Sequence, residues 1–160
     1  MLKQMPPAPG PPLKLRRLLL ALLAFGLIGI SVELVLLEHY EDPSMFVPFA
    51  AIAVSLAAVV LHARANTAAT ARVLQAAMAG LIVSGLAGVL LHYQGSLEFQ
   101  LDMDPEISRW DVFWKVMHMK APPTLAPGIM VQLGLLGLVS TYRHQAFDRT
   151  NRPLSTGEPI

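Results

Sequence analysis

One carboxylate, Glu33, stands in an apolar run from 18 to 37 that carries no other charge. By helical rise it sits roughly 7 Å outward of the run's midpoint, a depth at which an ionisable group is costly unless paired, protonated or wet. It falls on the helical face of Gly26 and Gly29, so it is expected to point inward. Few side chains are placed to meet it: His92, Glu38, His39 and Tyr40 at similar height, and Gln132 near the middle of the last apolar run. Neutral imidazoles ligate divalent metals or haem iron, and a carboxylate with a histidine can relay protons or hydrogen-bond a quinone. Glu33, His39 and His92 are therefore the candidate cofactor-binding residues. The sequence favours the plainer reading, in which histidine and tyrosine at helix ends are ordinary interface residues and no cofactor is bound.

A two-haem arrangement would need the pairs His39 with His92 and His62 with His144. All four lie at or beyond the ends of the apolar runs, where a porphyrin is poorly buried. His62 and His144 are expected to face lipid headgroups. The acids Asp102, Asp104 and Glu106 alternate as calcium ligands can, but the glycine and later bidentate glutamate of a calcium-hand loop are missing. A solvated acidic edge is the simpler reading.

Catalytic signatures are absent. The chain has no cysteine, which excludes disulfides and thiolate chemistry. It has no phosphate-binding loop, dinucleotide turn, HExxH or nucleophile elbow, and no basic stripe interleaved with aromatics for nucleic acid. No enzymatic activity is expected.

The elements that must position these residues are membrane helices. With 54% hydrophobic and 14% charged residues over 160 positions, the chain is too apolar for a small soluble domain. Four runs, about 18–37, 45–63, 73–91 and 124–142, are each long enough at ~1.5 Å per residue to cross a core of about 30 Å. The fold expected is an all-α, four-helix transmembrane bundle over 14–143, after a proline-rich lead-in at 1–13 and before a tail at 144–160. Retention of the first run is expected, because it is too long for a signal peptide and no small-x-small site follows. Lys3, Lys14, Arg16, Arg17, Arg64, Arg72, Arg143, Arg149 and Arg152 gather on one side, nine against the three of Arg109, Lys115 and Lys120. Both termini are thus expected to be cytoplasmic. The excess of Arg over Lys, with abundant Ala, Leu, Gly and Pro, points to a bacterial inner membrane.

Between the third and fourth runs lies a rim segment, 93–121, which the same charge count places on the extracytoplasmic side. From Leu97 to Asp104 apolar and polar residues alternate strictly, which predicts a strand-like, extended stretch. Asp104, Pro105 and Glu106 then suit the N-cap and first turn of an amphipathic helix running to about His118. Its Trp110 and Trp114 are expected to anchor it in the membrane interface.

Small residues mark the helix-packing faces: Ala76, Gly80, Ser84 and Gly88 in the third run, Gly26 and Gly29 in the first, Ala50, Ala53 and Ala57 in the second, Gly134 and Gly137 in the fourth. Such rows let helices approach closely in lipid, within the chain or between subunits. The function expected is a small accessory or scaffold subunit that packs against other membrane subunits or itself. A redox or proton-handling subunit binding haem, metal or quinone, and a subunit of a transport machine, are the alternatives.

Overall fold

A computed structural model describes residues 12–119 and 125–142. It is all-helical there: α1 (Leu13–Leu36), a short 3-10 turn η1 (Pro43–Met45), α2 (Phe46–Ala65), α3 (Ala68–Met103), α4 (Arg109–Met117) and α5 (Leu125–Ser140). The lead-in to residue 11, the tail from 143 with Arg143, His144, Arg149 and Arg152, and residues 120–124 with Lys120, lie outside the described residues.

Three helices, α1, the Pro43–Ala65 stretch and α3, are long and apolar enough to cross a membrane, and α5 is a shorter apolar helix of 16 residues. Large apolar side chains stand exposed on the outer faces, among them Leu22, Phe25, Val54, Val83, Leu90 and Leu135. A surface so continuously apolar suits lipid rather than water.

The packing follows a ring. α3 packs most extensively on α5 and also on α2, and α1 packs on α5 and α2. Leu23, Leu27, Ile30 and Leu34 give α1 a core stripe that meets Ile52, Ala58 and Val59 of α2, Leu74, Met78 and Leu81 of α3, and Met130 and Leu133 of α5. At several inward glycines a side chain would strike a neighbouring helix. A Cβ on Gly85 would lie 2.7 Å from the Pro127 carbonyl oxygen, and one on Gly134 would lie 2.9 Å from the Met78 carbonyl oxygen and against Ile82. A Cβ on Gly137 would overlap Met78, and Gly26 lies against Leu133.

Only Asn66 and Thr67 link α2 to α3, where the sequence suggests a longer turn at 64–72. Asn66 adopts the left-handed conformation at φ 47° and donates to the His62 carbonyl, as suits asparagine ending a helix. Thr67 then caps α3 in a reciprocal box with Thr70.

The expected strand-like stretch is helical. α3 runs 36 residues without a break to Met103, about 54 Å at ~1.5 Å per residue, which is longer than a bilayer core of about 30 Å. The physical reason is twofold. A solitary strand leaves its backbone unpaired, whereas extending an existing helix adds a hydrogen bond per residue without a new nucleus. Leu97, Glu98, Gln100, Leu101 and Met103 are also good helix formers without β-branches.

The rim helix likewise starts later than its first cap signal implies. Asp104 closes α3, its N–H donating to Gln100, and Pro105 acts as a stop, having no N–H with which to continue the ladder. α4 begins at Arg109, capped by Ser108, whose hydroxyl accepts the Asp111 N–H at 3.1 Å and donates to the Asp111 carboxylate at 2.7 Å.

Candidate functional site

His39 and His92 come together. Their ring centroids are 5.8 Å apart with an interplanar angle of 38°. His92 rides on α3 and His39 on the turn after α1, so residues 53 positions apart are joined by the antiparallel course of the chain.

The turn that carries His39 is strained. The His39 N–H donates to Leu34 and the Glu38 N–H to Val35, the paired bonds of a Schellman helix end. Glu38 occupies the left-handed position at φ 53°, where glycine is usual. The Glu38→Gly variant is expected to raise stability by about 0.5–1 kcal/mol, the relief of strain exceeding the added freedom of the unfolded chain. A denaturant midpoint below that of the unsubstituted protein would contradict this.

The other proposed members of the pocket do not join the pair. Glu33 lies half-buried on the flank of the α1 core stripe, and its carboxylate makes no hydrogen bond or ion pair among the described residues. Gly29, one turn before it, is exposed with open space around its Cα, so the face shared by Gly29 and Glu33 is not fully inward. Gln132 is exposed on α5 instead of turning inward.

The opposite end of the bundle holds a polar layer that residue types alone did not reveal. His62, expected at the headgroups, is only 3% exposed, and its Nδ1 lies 3.1 Å from the Thr70 hydroxyl across the α2–α3 hairpin. His144, its proposed haem partner, lies outside the described residues. The Gln75 amide donates to the Thr141 hydroxyl at 3.1 Å, and the buried Arg16 guanidinium donates to the Tyr142 carbonyl at 3.1 Å. Each of these pairs ties two different helices. The available signal was periodicity: Arg16 is one turn before the Leu20, Leu23 and Leu27 register of α1.

At the rim, α4 packs on the projecting end of α3. Val112 and Val116 are buried, and half-buried Tyr93, Ser96, Leu97 and Gln100 supply the facing helical stripe. Trp110 and Trp114 point outward, 66% and 45% exposed, in an aromatic cluster with Phe113, which also meets Tyr93 at 6.4 Å between centroids. Replacing both tryptophans by serine should therefore leave the thermal midpoint of the bundle nearly unchanged while raising protease cleavage or hydrogen exchange in 104–119. Unchanged protection of that segment in lipid would count against anchoring by the tryptophans.

The small-residue row of α3 divides. Steps of four residues advance about 40° beyond a full turn, so Ala76, Gly80, Ser84 and Gly88 drift around the helix. Gly88 meets Pro127 of α5, while Ala76 and Gly80 are exposed and Gly80 faces open space. With Ala50, Val54 and Ala57 of α2, they line an apolar groove of about 960 Å³ between α2 and α3.

Taken together, the molecule is a helical protein with three long apolar helices, compatible with a membrane, and an amphipathic helix folded against the overhanging end of one of them. No protein family, curated protein or solved structure matches the chain.

Proposed function

We propose that the protein is a small integral membrane subunit that scaffolds or accompanies a larger membrane protein. In this reading α1, α2, α3 and α5 cross a bacterial inner membrane with both termini in the cytoplasm, and α4 lies at the outer interface on Trp110 and Trp114. The observation that carries it is the α2–α3 groove. Gly26, Gly85, Gly134 and Gly137 are occupied by contacts inside the chain, whereas Gly80 with Ala50, Ala57 and Ala76 opens outward, leaving a close-approach surface unfilled. Membrane helices associate through such surfaces, because lipid offers no hydrophobic drive and packing must supply the energy. Gln132, exposed on α5, adds a hydrogen-bonding group that a neighbouring helix would satisfy.

The test is purification of the tagged protein at native expression level in a gentle detergent, with mass spectrometry of what accompanies it. Stoichiometric membrane partners, lost in a Gly80→Leu variant that keeps its own thermal midpoint, are expected. A solitary monomer, or partners retained by that variant, would overturn the docking role of the groove.

A further inference from the structure

We propose that His39 and His92 together ligate one imidazole-seeking transition-metal ion, of the Cu2+ or Zn2+ kind, where α1 turns into η1. An imidazole nitrogen binds such an ion at about 2.0–2.1 Å, which puts each ring centroid roughly 3.2 Å from the metal. Two rings sharing an ion then stand roughly 5.2 Å apart at a tetrahedral angle and roughly 6.4 Å apart when opposed. The observed 5.8 Å falls inside that interval.

Three further features suit a cation. His92 is borne by the long helix α3, and the backbone at His39 is pinned by the paired hydrogen bonds of the strained turn, so the main chain at both residues is set before an ion arrives. Strain of this sort persists where the surrounding structure demands the conformation. The turn's charge is of one sign: exposed Glu38, Glu41 and Asp42 flank His39, and no lysine or arginine occurs between Arg17 and Arg64. Imidazole is also a ligand of first choice for copper and zinc.

Among the described residues no third histidine, cysteine or carboxylate joins the pair. The ion would keep open positions for water or an outside ligand, the arrangement of an exchangeable or reactive ion rather than of a closed structural one. This inference does not depend on the docking role of the groove.

The test is Cu2+ titration of the full chain, purified through a histidine-free tag and held in lipid nanodiscs, read by electron paramagnetic resonance and by a competing chelator. One Cu2+ per chain with coupling to two imidazole nitrogens is expected. His39→Ala and His92→Ala should each remove one nitrogen coupling and weaken binding at least tenfold, with helicity and thermal midpoint retained. The size-conserving His39→Gln and His92→Gln variants should behave alike, separating ligation from packing. Absence of Cu2+ binding would overturn the proposal, as would unchanged stoichiometry and affinity in the double alanine variant, which would assign the ion to other histidines.

Discussion

Gly85→Val should unfold or dissociate the α3–α5 pair, at a cost of about 3 kcal/mol or more, whereas Gly80→Val on the same helix should change stability by less than about 0.5 kcal/mol. The difference lies in what surrounds each position. A Cβ on Gly85 meets the Pro127 carbonyl oxygen at 2.7 Å, the Val131 methyl at 2.9 Å and the Val131 nitrogen at 3.1 Å. Two of those three are backbone atoms, so no rotamer change relieves the overlap and the helices must separate. Separation would strip packing from Met78 and Leu81 on α3 and from Met130 and Leu133 on α5, which share the core. Gly80 has nothing within 4 Å of its Cβ position, so a side chain there meets no neighbouring helix of the chain. Thermal denaturation of both variants in the same detergent checks the contrast. Equal midpoints would mean that α3 and α5 do not pack as closely as described.

That contrast also shows what the residues disclosed and where they fell silent. Long apolar runs disclosed the helices: the expected 18–37, 45–63 and 124–142 correspond to α1, α2 and α5 within a few residues at most ends. The third run, expected at 73–91, extends at both ends to Ala68–Met103 because polar residues do not stop a helix unless a breaker follows, and the first breaker is Pro105. The alternation from Leu97 to Asp104 does not make a strand, since a period of two over eight residues is also compatible with a helix when all of them tolerate one. The half-buried set Tyr93, Ser96, Leu97 and Gln100, spaced by three and four, was present in the same letters. Small-residue rows showed that helices approach closely, but not which glycines meet α5 and which open outward. That depends on the rotation of α3, which is fixed by contacts across the whole bundle.

The approach of His39 to His92 was legible because each ends or overruns an apolar run at the same height. Glu33 and Gln132 were not, because a single polar residue carries no periodicity that states its direction. Glu33 adjoins Ile30 and Leu34 of the core stripe and yet stands on its flank. The polar layer at the other end is hidden in the residue types for a different reason. In the sequence Arg16 is one of the basic residues at a helix end, and its second duty, reaching across to the end of α5, appears only once the two helices are side by side.

Arg16→Met is expected to cost about 2 kcal/mol, more than its retained apolar volume would suggest. The guanidinium donates to the Tyr142 carbonyl at 3.1 Å, just past the end of α5, where the last carbonyls have no helical partner. A cation there also meets the negative end of the helix dipole. Methionine fills part of the space but leaves the carbonyl without that donor, and a charge-assisted bond of this kind contributes about 1.5–3 kcal/mol. Arg16→Lys should recover part of the loss, because lysine supplies the charge without the planar fork that spans from α1 to α5. The neighbouring tie, Gln75 to Thr141, joins α3 to the same end of α5, so Arg16 and Gln75 hold that end from two sides. Their substitutions should therefore couple: the double variant Arg16→Met with Gln75→Leu is expected to lose less than the sum of the single losses, since fraying of α5 removes both contacts at once. Midpoints of the two single variants and the double variant measure this directly. Strict additivity would show that the two ties hold α5 independently.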